Sequence, residues 1–172
     1  MNDYPKRRSP RLREWDYRRP GAYFLTICTK NRIPSLCRIR RGAPCGRPQT
    51  EYTPLGRIAL ECLPKIEAAY GIRVDNYVLM PNHIHLIVTI PDTETRAPAR
   101  GAPTISQIVG GYKSMIAVKW LDLCKRSGTR SGPLFQRSFH DHIIRNEADY
   151  RRIYDYIDQN PLKWELDCFY IP

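Results

Sequence analysis

The sequence predicts an α+β fold, one antiparallel sheet with helices packed on its faces. Three observations carry that prediction. Residues 72–80 and 83–90 are two strand-like runs separated only by Pro81-Asn82, a spacing that implies a hairpin and so antiparallel pairing. Segments of helical periodicity alternate with the other strand-like runs, giving the order β-α-β-β-α-β-α. The 172 residues, 42% of them hydrophobic, suit a single domain with a sizeable core.

Each element has its own local reason. Residues 1–20 (MNDYPKRRSPRLREWDYRRP) read as an irregular basic arm carrying Trp15 and Tyr17, and residues 21–172 as one domain. Residues 22–30 (AYFLTICTK) are rich in aromatic and β-branched types and read as the first strand. Residues 31–50 hold Pro, Gly and Arg and read as loop. Thr53-Pro54 starts a helix, with proline in its favoured first-turn place. Its apolar positions Ile58, Cys62, Ile66 and Tyr70 run to Gly71, and Pro64 is expected to kink or split it. After the hairpin, residues 91–104 form a second Pro/Ala/Arg loop that echoes RRGAPCGRP, a compositional likeness rather than a repeat.

Thr104-x-x-Gln107 is a capping box, followed by Ile105, Ile108, Val109, Tyr112, Ile116 and Trp120 on one helical face. Residues 122–133 read as loop and 134–144 (LFQRSFHDHII) as the fourth strand. Asn146 caps a last helix whose first turn holds Glu147 and Asp149, which Asn160-Pro161 ends. The economical packing of this order is a ferredoxin-like plait.

Charge narrows the function. The chain has 28 Lys and Arg against 17 Asp and Glu, a net +11, which points to a polyanion and first of all to nucleic acid. The excess is placed in blocks. Residues 1–20 hold seven basic side chains against three acidic, and residues 30–50 hold Lys30, Arg32, Arg38, Arg40, Arg41 and Arg47 without an acid. Such blocks read as phosphate-contacting arms or loops. The cysteines at 28, 37, 45, 62, 124 and 168 form no C-x-x-C pair, which argues against a zinc knuckle. With no signal-like or membrane-spanning run, the expected setting is the cytoplasm with reduced thiols and no membrane partner.

In MPNHIHLIV, residues 80–88, His83 and His85 share one strand face while Ile84, Leu86, Val88 and Ile90 face the core. Two imidazoles so placed can chelate one ion. His140 and His142 in SFHDHII share a face in the same way, so spacing alone leaves both pairs open. Two histidines without a cysteine partner make an open site, suited to a cation that also takes substrate oxygens.

The last helix supplies a nucleophile candidate. Tyr150, Ile153, Tyr154 and Ile157 lie on one stripe and read as packing. Tyr156 falls off that stripe, with Asn160 one turn further along the same flank. From the helix alone, a half-exposed tyrosine without special role remains the simpler reading.

Taken together, RRSPRLREWDYRRPGAYFLTICTKNR, VDNYVLMPNHIHLIV, ISQIVGGYKSM and LFQRSFHDHIIRNEADYRRIYDYIDQNPLKW resemble the single-tyrosine HUH transposases, most closely the REP-associated tyrosine transposases. The resemblance runs from about residue 7 to 165. It implies the RRM-like plait of HUH nucleases, His83 and His85 as the HUH pair, Tyr156 as the nucleophile and Asn160 as a further ligand of Mg²⁺ or Mn²⁺. It implies cleavage and rejoining of single-stranded DNA at palindromic hairpins through a 5′-phosphotyrosine, in a bacterial cytoplasm at the nucleoid. It demotes His140 and His142 to supporting or DNA-contacting residues. Candidate DNA contacts are Arg7, Arg8, Arg11, Arg13, Arg18, Arg19, Lys30, Arg32 and Lys113, on a monomer or homodimer. The alternative is a module of the same fold that binds a hairpin or single strand without cutting it. A replication initiator or relaxase of the wider class is a third, weaker reading.

Overall fold

The structure is a computed structural model that describes residues 18–40, 48–92 and 103–170. Most of the expected basic arm, with Arg7, Arg8, Arg11, Arg13, Trp15 and Tyr17, lies outside the described residues. In chain order the elements are β1 (Gly21–Cys28), β2 (Cys37–Arg40), β3 (Gln49–Tyr52), α1 (Pro54–Tyr70), β4 (Arg73–Leu79), β5 (His83–Ile90), α2 (Ile105–Ser127), β6 (His140–Ile144) and α3 (Glu147–Gln159). Short 3₁₀ turns follow β1 at Lys30–Arg32 and α3 at Asn160–Leu166.

The main sheet has the order β4-β5-β1-β6, with every pair antiparallel. Each βα crossover places its second strand one position beyond a neighbour, which is the ferredoxin-like plait predicted from the element order. Strand alternation then sorts the side chains. Leu25, Ile27, Ile84, Leu86, Val88 and Ile90 form the main core with α1 and α2, through Ile66, Ile108, Tyr112 and Ile116. On the opposite face Ile87 packs with Ile153 and Ile157 of α3, backed by Phe24, Val78 and Ile144. Burying each such isoleucine contributes roughly 1.5–3 kcal/mol, enough to fix α3 against the sheet.

The helix ends follow the sequence signals. Thr53 Oγ1 accepts the Gly56 N–H at 3.1 Å, and Thr104 and Gln107 close a reciprocal capping box. Asn146 Oδ1 accepts the Asp149 N–H at 2.8 Å. Gly56 permits a close approach: a Cβ there would stand 2.0 Å from the Leu36 carbonyl oxygen.

Four local expectations change. Pro64 does not split α1, which runs unbroken from Pro54 to Tyr70 with Pro64 on its exposed side while Cys62, Leu63 and Ile66 hold the core face. The segment 31–50 is not all loop, since β2 and β3 pair as a two-stranded ribbon braced by Arg40 and Glu51. The helix predicted to stop by residue 122 continues to Ser127, because LDLCKRS holds no breaker before the left-handed Gly128 cap. The strand predicted over 134–144 is regular only from His140. Residues 134–136 make only an isolated antiparallel bridge to the end of β1, and beyond it Lys113 Nζ takes the carbonyls of Gln136, Arg137 and Ser138 at 2.8, 3.4 and 3.2 Å.

Candidate active site

The site lies at the end of the sheet where β5 begins, on the face that α3 covers. Strand period 2 puts His83, His85 and Ile87 on that face, and the adjacent β1 adds Phe24 and Thr26. The imidazoles of His83 and His85 are fully buried, with centroids 4.5 Å apart.

The hydrogen bonds set which nitrogens face inward. His83 Nδ1 lies 2.9 Å from Asn82 Oδ1, and Asn82 Nδ2 donates to the Phe169 carbonyl at 2.7 Å. With its NH₂ so engaged, Asn82 offers His83 only an acceptor. His83 Nδ1 must therefore carry the hydrogen, and Nε2 keeps a bare lone pair. Thr26 Oγ1 sits 2.9 Å from His85 Nδ1 and likewise leaves Nε2 to the interior. Burial holds both rings neutral, pulling each pKa from 6.5 down to about 3. Neutral imidazoles fixed through Nδ1 are the form that ligates a metal.

Their depressed pKa values set an acid limit. An unfolded histidine takes a proton near pH 6.5 and these folded ones only near 3, so between those values the unfolded chain binds more protons. Metal-free stability should fall as the pH drops through that window, by roughly 1.4 kcal/mol per pH unit per histidine. Urea midpoints measured from pH 7 to 4 check this. A His83→Asn/His85→Asn double variant should show a visibly flatter acid limb.

α3 brings in the tyrosine. Ile153 and Ile157 point into the sheet, so Tyr156 lies on the flank, 42% exposed, with its ring edge-on to Phe24 at 6.0 Å. Its hydroxyl reaches to 3.4 Å from His85 Nε2 and 3.5 Å from Asp167 Oδ2. Burial and the Asp167 carboxylate push the phenol pKa up, and a hydrogen bond from Asn160 opposes them. At neutral pH the resting phenol keeps its proton. Tyr154 is more exposed than the stripe predicted, at 37%, with its ring stacked on Tyr150.

Asn160, one turn beyond Tyr156, is 3% exposed. Its Oδ1 and His83 Nε2 are buried without a hydrogen-bond partner. Orphaned buried acceptors are what a cation would satisfy, and a donor set of imidazole nitrogens and an amide oxygen fits a divalent ion. Asp167, which the sequence reading missed, enters the same space: ligand atoms of His83, His85 and Asp167 lie within 4.8 Å of one another. No periodicity singled it out, because it sits in a turn after the 3₁₀ segment. A cavity of about 230 Å³ opens beside it, lined by Tyr156, Gln159, Asn160, Lys163, Asp167 and Cys168.

The remaining candidates spread out. His140 and His142 lie on the same sheet face, but His142 Nε2 pairs with Asp149 Oδ2 at 2.8 Å and anchors the first turn of α3. Lys30 and Arg32 are exposed at the turn after β1, and the Arg32 guanidinium covers the Phe169 ring at 4.9 Å. Asn31 and Arg32 hold φ of 53° and 55°, left-handed for both. Arg18 and Arg19 lead exposed into β1, while Lys113 holds three carbonyls as described.

No family model matches the chain. An uncharacterised Haemophilus influenzae protein is 33% identical over 179 residues, spanning 96% of this chain and 93% of that protein. An Escherichia coli REP-associated tyrosine transposase is 25% identical over 149 residues, spanning 86% of this chain and 70% of its own length. Among solved structures, a REP-associated tyrosine transposase bound to a REP hairpin has a TM-score of 0.60 at 22% identity, covering 90% of this chain and 73% of that one. That structural likeness is one of fold. No helix among the described residues is long and apolar enough to cross a membrane.

Proposed function

The chain belongs to the REP-associated tyrosine transposase family, and on that premise we propose that it cleaves and rejoins single-stranded DNA at hairpin sites, with Tyr156 as nucleophile. The observation that carries this reading is the Tyr156 hydroxyl, 3.4 Å from a buried histidine nitrogen in a pocket of unsatisfied acceptors. His83 and His85, with Asn160, would hold Mg²⁺ or Mn²⁺. Such a cation, when bound, offsets charge on a phosphate and polarises it.

The chain's own residues do the rest. Thr26 and Asn82 orient the two imidazoles, and α3 aims the phenol oxygen at the mouth of the site. The Tyr156 oxygen attacks phosphorus, the P–O3′ bond breaks, and the phenol proton ends on the departing 3′ oxygen. The products are a 5′-phosphotyrosine and a free 3′-hydroxyl. The phosphoester is conserved in energy, so a second strand end can reverse the step.

The test is incubation of the full chain with a labelled single-stranded palindrome and Mn²⁺ or Mg²⁺. A covalent protein–DNA band on a denaturing gel is expected. Tight hairpin binding with no such band under either metal would instead favour the non-cleaving module. In both cases log affinity should fall linearly with log salt, by roughly 0.7–0.9 per phosphate contacted. A flat response would remove the exposed arginines from the DNA interface.

A further inference from the structure

Asp167 has no role in the reading above, yet it lines the cavity beside the histidines. Its side chain is 3% exposed. Oδ1 is used internally, accepting the Phe169 N–H at 2.7 Å, which leaves Oδ2 directed at the histidines. Oδ2 stands 3.9 Å from His83 Nε2, too far for a hydrogen bond. Asn82 fixes the His83 proton on Nδ1, so a bare nitrogen lone pair faces a carboxylate oxygen, and the hydrogen bond that Oδ2 accepts from the Tyr156 hydroxyl is long, at 3.5 Å. The Asn160 oxygen is a further acceptor with no donor. Ligand atoms of His83, His85 and Asp167 lie within 4.8 Å of one another, and acceptors at that spacing repel unless a cation sits among them.

The backbone that carries Asp167 is tied to the same histidine. Asn82 bonds His83 through Oδ1 and the Phe169 carbonyl through Nδ2. The Phe169 ring packs on the His83 ring, with centroids 4.8 Å apart. The Asp167 N–H donates to the Trp164 carbonyl at 3.1 Å. One residue therefore sets both the His83 tautomer and the position of the loop that presents the carboxylate. Such outer contacts are what holds a ligand in register.

We propose that Asp167, through Oδ2, is a direct carboxylate ligand of the divalent cation, the anionic ligand beside His83, His85 and Asn160. This inference rests on the metal reading given under Proposed function. Chemically it answers a shortfall, since two neutral imidazoles and an amide carry no charge, whereas Mg²⁺ and Mn²⁺ prefer anionic oxygen. It also gives Asp167 two alternative partners, because the same Oδ2 now accepts from the Tyr156 hydroxyl at 3.5 Å. A carboxylate engaged with a cation releases that hydroxyl.

The test is Mn²⁺ titration of the metal-free full chain by calorimetry, for wild type, Asp167→Asn and Asp167→Ala, each with its metal-free melting temperature. Loss of a residue that only orients a ligand weakens metal binding by roughly 10–100-fold, so loss of a ligand itself should weaken it at least tenfold. The metal-free melting temperature of Asp167→Asn should stay within a few degrees of wild type, because its amide oxygen can still accept the Phe169 N–H. Wild-type affinity in both variants would overturn the assignment and leave the histidine site standing. Absence of Mn²⁺ binding by wild type would overturn the metal reading beneath it as well.

Discussion

Tyr156→Phe should abolish the covalent DNA adduct while leaving the protein folded and able to bind a hairpin. The phenol ring stays, so its edge contact with Phe24 and its place beside His85 stay too. Only the attacking oxygen is lost, together with its long, weak contacts to His85 and Asp167 at 3.4 and 3.5 Å and its hydrogen bond from Asn160. Loss of a nucleophile typically lowers turnover by about 10⁴-fold or more, below what a gel detects. Binding by fluorescence anisotropy should change by less than about threefold. Tyr150→Phe and Tyr154→Phe serve as controls on the same helix and should still form adduct. An adduct of undiminished yield in Tyr156→Phe would mean that another residue attacks.

The second large effect is expected from His83→Ala. It removes a ring whose Nε2 is buried and unsatisfied, so the loss to metal binding should exceed the loss to folding. We expect Mn²⁺ affinity to fall by at least about 100-fold, since a direct ligand exceeds the effect of its supports. Adduct formation should vanish with it, while hairpin affinity at fixed salt holds within a few fold. His140→Ala should leave metal affinity unchanged, which separates the two histidine pairs by experiment. Cleavage that persists in His83→Ala at wild-type metal concentration would detach the histidines from the chemistry.

The sheet was legible because its signals are local and redundant. The Pro81-Asn82 spacing gave the hairpin, and alternation through Ile84, Leu86 and Val88 gave the face on which His83 and His85 lie. The off-stripe position of Tyr156 was legible for the same reason, because Ile153 and Ile157 fix the rotation of α3. What the sequence did not reveal depends on distant partners. The break before His140 lies where Lys113 reaches across from α2 to three backbone carbonyls. Asp167 has no helical or strand phase, and its place at the site comes from Asn82 holding the Phe169 carbonyl, 87 residues away along the chain. The choice between the two histidine pairs lay beyond spacing, and it is the Asp149 contact that shows His142 employed in anchoring α3.

The most direct test of the central claim is to locate the covalent bond. Wild-type protein is incubated with a single-stranded palindrome and Mn²⁺, digested with trypsin and nuclease, and the nucleotide-bearing peptide is sequenced by mass spectrometry. The account predicts one modified peptide, with the phosphate on Tyr156 and joined to the 5′ end of the DNA. A phosphate on any other tyrosine, or a link through a 3′ end, would contradict it.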